Sequence, residues 1–133
     1  MAAAAHAAAL IDTDILVDAA RGHLDAVAFL SAQHRTSGVQ ISIISAMELI
    51  VGSRNKVELS ETKRFLQPAR ILPLNSNVSR AAYNFMESFT LSHGLMIPDA
   101  LIAATASEND LALFTKNTRH FQMIPGLKVV RPY

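Results

Sequence analysis

Hydrophobic and polar positions switch between two periods along the 133-residue chain, and the switching predicts strands separated by helices. Residues 8–12 form a short apolar run that stops at an acid, as a buried strand does. Residues 14–21 have helical spacing, with Ile15, Leu16 and Ala19 on one side and Gly22 as the stop. Residues 23–34 repeat that spacing through Leu24, Val27, Ala28 and Leu30. After Gly38, residues 39–44 alternate and then turn wholly apolar, which predicts a second strand. Ser45 with Glu48 three residues later is a capping-box pattern, opening a helix through Val51. Residues 57–67 predict a helix with a basic outer side, closed by Pro68.

A third strand is expected at 70–74. Ser76 or Asn77 then caps a long helix to His93, with Gly94 as its stop. Ile97-Pro98-Asp99 opens a further helix: Pro at the first turn, an acid beside it, then small apolar residues through 107. Residues 111–114 and 127–130 are the fourth and fifth strands. Strands that read as nearly continuous apolar runs and alternate with helices predict an α/β fold. The expected architecture is one three-layer domain over 9–133, with helices flanking a mainly parallel five-stranded sheet.

Composition narrows the function. Half the residues are hydrophobic and 17% are charged, which excludes a disordered chain. Aromatics make up 6% and Trp is absent, so a platform that grips bases by stacking is not expected. The absence of Cys excludes a disulfide framework and any thiolate metal site. Seven of the first ten residues are Ala, without a basic lead or a long apolar run. No signal peptide or membrane span is therefore expected, and segment 1–8 is read as disordered or extraneous to the native chain. The expected location is the cytoplasm.

The net charge of +1 conceals a segregation. Residues 1–52 carry two basic against five acidic side chains, whereas residues 53–80 carry six basic against two acidic ones. A neutral protein divided in this way suits a metal on the acidic stretch and a phosphate chain on the basic one, although solvated helix faces give the same count.

In open parallel sheets the working groups collect beyond the carboxyl ends of the strands. Asp12 follows the first strand there, Glu48 lies one turn into the helix after the second, and Asp99 begins the helix before the fourth; Asn117 follows the fourth strand itself. Each acid has an ordinary alternative role, as a helix cap or a first-turn acid. Three of them on one edge is harder to explain that way, because clustered carboxylates repel and burial raises their pKa. A cation relieves both effects, and an all-oxygen donor set without His or Cys suits magnesium or manganese.

Four segments carry a resemblance. Leu10-Ile11-Asp12-Thr13-Asp14, Ser45-Ala46-Met47-Glu48-Leu49, Pro98-Asp99-Ala100-Leu101-Ile102-Ala103-Ala104-Thr105-Ala106 and Phe114-Thr115-Lys116-Asn117-Thr118-Arg119-His120-Phe121 stand in the order and spacing of a PIN domain. Within that family the chain resembles the VapC-type toxins of toxin–antitoxin pairs, over essentially residues 9–133. The resemblance implies a metal-dependent endoribonuclease whose acidic core is Asp12, Glu48 and Asp99, holding Mg2+ or Mn2+ and hydrolysing an RNA phosphodiester with a metal-activated water. Thr13, Asp14, Thr115 and Asn117 are then supporting polar groups. Asn117 stands where many PIN domains carry another acid, and His120 where some carry Asp, so this site has one negative charge fewer. The family also implies a cognate antitoxin and a homodimer.

Arg54, Lys56, Lys63 and Arg64 of the basic helix, with Arg119 near the acidic edge, are the candidate RNA contacts. His120 is a candidate phosphate contact or general acid. Among rivals, the Asp12-Thr13-Asp14 start of a dehalogenase-type phosphatase lacks the expected Thr or Val at Leu16. A receiver domain lacks its Asp in Leu72-Pro73-Leu74-Asn75, and five Gly supply no phosphate loop. A PIN-like module that binds RNA or protein without cleaving is the remaining alternative.

Overall fold

The computed structural model describes residues 8–133, so the expectation for segment 1–8 falls almost wholly outside the described residues. Five strands form one sheet: β1 (Ala9–Ile11), β2 (Gln40–Ser42), β3 (Arg70–Leu72), β4 (Ala112–Phe114) and β5 (Val129–Val130). Their order is β3-β2-β1-β4-β5 and every pairing is parallel. Six α-helices connect them: α1 (Thr13–Ala20), α2 (Leu24–Thr36), α3 (Ile43–Val51), α4 (Lys56–Leu66), α5 (Ser76–His93) and α6 (Ile97–Glu108). A 3-10 turn, Thr118–His120, follows β4.

The strands explain their own placement. In β1, Ala9 and Ile11 join one core while Leu10 joins the other, the two-residue period of a strand with both faces covered. Phe114 and Leu113 divide β4 in the same way. The first core packs Ile15, Leu16, Phe29, Leu30 and Leu66 from α1, α2 and α4. The second packs Val78 and Ala82 of α5 against Ala100, Ile102, Ala103 and Ala106 of α6. Alanine on the buried side of α6 lets that helix lie close, at the cost of little apolar area per residue. Gly94 closes α5 with φ of 64°, the left-handed conformation that a glycine adopts without penalty.

Two sequence expectations are corrected here. The second strand stops at Ser42, and Ile43-Ile44, expected to continue it, open α3 instead. Ser42 is the cap, its Oγ accepting from the Ile44 N–H at 3.0 Å. Ser45 therefore lies inside α3 and is not the cap of a capping box with Glu48. Two β-branched residues favour a strand locally, but the cap at Ser42 and the burial of Ser45 and Ala46 override that preference. Similarly, α5 is capped by Asn75, whose Oδ1 accepts from Val78 N–H at 2.9 Å, and not by Ser76 or Asn77.

Strand order reverses across β1: the chain first builds outward to β2 and β3, then returns to β4 on the other side. The carboxyl ends of β1 and β4 thus form the topological switch point, where α/β sheets leave a crevice.

Candidate active site

The register Ile11↔Phe114 brings the residues after β1 and β4 side by side. Those residues are Asp12 and Thr115. The Asp12 N–H extends the ladder to Phe114 O at 2.9 Å. Asp12 is only 5% exposed, and its carboxylate accepts from the Thr13 N–H through Oδ1 at 2.8 Å and from the hydroxyl of the fully buried Thr115 through Oδ2 at 2.7 Å. Asp12 is thus both the cap of α1 and a carboxylate held in one orientation. Thr115 Oγ1 accepts in turn from the Asn117 N–H at 3.0 Å, so Asn117 supports Asp12 through its backbone and one intervening hydroxyl. Asp14, one residue into α1, accepts from the Lys116 N–H at 2.9 Å.

Glu48 is reached from α1. The Thr13 hydroxyl lies 2.7 Å from Glu48 Oε1 and 2.8 Å from Ser45 Oγ. A hydroxyl has one proton, so Thr13 donates to the carboxylate and accepts from Ser45. Ser45 and Glu48 are three residues apart and share one face of α3, which makes the joint contact available. Asp99 projects from the first turn of α6, with His120 Nδ1 3.3 Å from its Oδ2.

The acids interact unfavourably. Burial, followed by the charge of Asp14, pushes the Asp12 pKa up to about 7 against the hydrogen bonds from Thr115 and Thr13; the charge of Asp99 adds to the rise. Asp99 is also raised, chiefly by burial, with His120 opposing and Glu48 and Asp14 reinforcing. Lys116, next to Thr115, pairs with Asp18, and Arg54, which lines a pocket with Glu48, pairs with Glu58 at 2.8 Å. Among the described residues no three acids or histidines are already arranged about a single metal position. The donor chemistry nonetheless fits a hard divalent cation. The edge supplies the carboxylates of Asp12, Asp14, Glu48 and Asp99 beside hydroxyl oxygens, burial destabilises the anionic forms of Asp12 and Asp99, and each Asp12 oxygen has a lone pair beyond its one hydrogen bond.

The sequence-predicted residues therefore divide. Asp12, Thr13, Asp14, Glu48, Asp99, Thr115 and Asn117 share the edge. Lys56, Lys63 and Arg64 are exposed on α4, as Arg119 is within the 3-10 turn. Arg54 is committed to Glu58 through both its guanidinium and its backbone N–H. Sequence reasoning missed Ser45 as a site residue because it read as a helix cap. It also missed Asp18, whose position one turn beyond Asp14 on α1 was the available signal.

Comparison with known proteins identifies the family. A family model of the PIN domain matches residues 9–127. Ribonuclease VapC10 of Mycobacterium tuberculosis is 37% identical over 120 residues, spanning 90% of each chain. A toxin–antitoxin complex from Klebsiella pneumoniae contains a chain 32% identical that superposes with a TM-score of 0.77, covering 94% of this chain and 98% of its own. VapBC2 from Rickettsia felis, bound to a DNA fragment from their promoter, contains one 27% identical with a TM-score of 0.74, covering 91% and 96%. With nearly the whole described chain inside the family model and a relative 37% identical over 90% of each chain, this protein belongs to the PIN-domain family, in its VapC branch.

Proposed function

We propose that the chain is a divalent-cation-dependent endoribonuclease, the toxin of a toxin–antitoxin pair, with Asp12, Glu48 and Asp99 as the cation ligands. The observation that carries the reading is the convergence of Asp12, Asp14, Glu48 and Asp99 at the switch point of the sheet. Neither Asp12 nor Asp99 has a lysine or arginine partner among the described residues. Magnesium or manganese suits the oxygen donors best. When bound, the cation supplies a water of lowered pKa and neutralises charge building on the phosphate oxygens.

The chain's own groups prepare that chemistry. Thr115 and the Thr13 N–H hold Asp12 in one orientation and favour its charged form. Thr13 and Ser45 hold Glu48 at the edge. His120, beside Asp99, offers a ring N–H to a phosphate oxygen or a leaving group. Lys56, Lys63, Arg64 and Arg119 give the RNA backbone a basic approach, with Arg54 contributing less because Glu58 already holds it. The relatives named as ribonucleases, and the neighbour solved as a toxin–antitoxin complex, support this reading.

Partners have a surface at hand. Met47 and Val51 of α3 are exposed beside Ile97 of α6, lining with Pro98 and Leu101 an apolar groove of about 430 Å³ that reaches Glu48. A second groove, about 560 Å³, runs between α5 and α6 past Tyr83 and Met86. We assign this continuous apolar strip to the antitoxin and to a second copy of the chain. The isolated protein is expected to sediment as a dimer at tens of micromolar, and a clean monomer would remove the second copy. No helix among the described residues is long and apolar enough to cross a membrane. We place the activity in the cytoplasm, where its RNA would be.

The deciding experiment is cleavage of a structured RNA pool by the purified chain with magnesium, manganese or EDTA, beside Asp99→Asn. Products are expected with either ion and none in EDTA. The variant should lose at least ~100-fold, the upper end of what loss of an outer-shell partner costs. RNA retention without cleavage, unchanged in the variant, would indicate a binding module instead.

A further inference from the structure

Lys116 follows Thr115 directly, so its backbone stands at the acidic edge, its N–H donating to Asp14 Oδ2. Its ammonium is directed elsewhere. It pairs with Asp18 on α1, one helical turn beyond Asp14, and lies 5.9 Å from the centroid of the Tyr133 ring. The Tyr133 hydroxyl donates to the same Asp18 oxygen at 2.8 Å. Tyr133 is itself braced, its ring centroid 5.5 Å from that of His23. The pair is sheltered, with 29% of the Lys116 side chain and 20% of the Asp18 side chain exposed. The bonds from Lys116 and Tyr133 hold the Asp18 carboxyl below the usual range, which favours its charged form.

The arrangement has an electrostatic consequence. Residues four apart on a helix lie about 6 Å from each other at Cβ, within the swing of a lysine stem. A Lys116 side chain released from Asp18 reaches Asp14, where an ammonium competes directly with a divalent ion. Asp18 removes that competitor twice over, by neutralising it and by fixing where it points.

We propose that Asp18, supported by Tyr133, is a positioning residue that sequesters the Lys116 ammonium and keeps the acidic edge open to a divalent cation. The proposal rests on the reading of Asp12, Glu48 and Asp99 as cation ligands, and its test separates the two ideas. Manganese affinity of the full chain would be measured by titration calorimetry at pH 8 in the parent, Asp18→Asn, Lys116→Ala and the double variant. With Lys116 present, Asp18→Asn is expected to weaken binding about tenfold, the scale of a unit charge brought next to the ion. With Lys116 replaced, the same change should cost no more than about twofold, because only the direct charge of Asp18 is then lost. Equal costs in the two backgrounds would mean that Asp18 acts on the ion by itself, and no cost in either would mean that the pair is irrelevant to the site; each result overturns the proposal. Failure of the parent to bind manganese would overturn the cation site and this proposal with it. Thermal melts qualify each variant as folded, with Asp18→Ser and Lys116→Gln replacing any that fails.

Discussion

Replacing Asp12 by Asn is expected to reduce RNA cleavage by about a thousandfold or more while stabilising the cation-free protein above pH 7. The first effect follows from removing the charge of the most buried carboxylate at the edge. The second follows from linkage. Burial and the Asp14 charge raise the folded-state pKa of Asp12 to about 7, whereas an unfolded Asp titrates near ~3.9. Between those values the folded chain holds the extra proton, so the contribution of Asp12 to stability is fullest at low pH and is lost as pH rises towards 7. By pH 8 the ionised group costs roughly 4 kcal/mol, a difference on the order of 10 °C in melting temperature.

Asn keeps the geometry without the charge. Its Oδ1 still accepts from the Thr13 N–H, and its NH2 donates to Thr115 Oγ1, which turns to accept. Thermal melts in EDTA at pH 5 and pH 8 check the prediction. The parent should lose stability across that interval more steeply than the variant, and manganese at pH 8 should raise the melting temperature of the parent alone. A variant no more stable than the parent at pH 8 would mean that Asp12 does not carry this strain.

Thr115→Val should cost about 2 kcal/mol of stability and lower cleavage on the order of tenfold to a hundredfold. Valine fills the same volume but deletes a fully buried hydroxyl that donates to Asp12 and accepts from the Asn117 N–H. Asp12 then loses a buried donor, which carries a desolvation penalty, and the Asn117 N–H loses the acceptor of a half-buried bond. The hydroxyl also lowers the Asp12 pKa against the pull of burial, so its removal moves that pKa further up. The pH at which manganese binding reaches half its maximum should rise in Thr115→Val and return in Thr115→Ser. A loss of stability with an unmoved pH profile would reduce Thr115 to a packing role.

Much of this was legible along the chain, for reasons that can be named. The strands were readable because both faces of a parallel sheet are buried, which leaves uninterrupted apolar runs such as Leu10-Ile11 and Leu113-Phe114. The acids were readable because parallel strands deliver their carboxyl ends to one edge, so Asp12, Glu48 and Asp99 could be assigned there before any contact was known. Helix boundaries were less legible. Ile43-Ile44 has the local preference of a strand, and only the cap at Ser42 and the burial of Ser45 beside Thr13 turn that segment into a helix.

The sequence by itself determined the layered α/β class, the acidic edge and the hard-oxygen character of its donors, because these follow from hydrophobic period and residue chemistry. Tertiary structure alone decided which groups hold which. Thr115 lies 103 residues from Asp12, Tyr133 lies 115 from Asp18, and Lys116 lies 98 from the carboxylate that restrains it. Such pairings carry no local signal, since they depend on β4 returning beside β1 and on the register that sets Phe114 against Ile11.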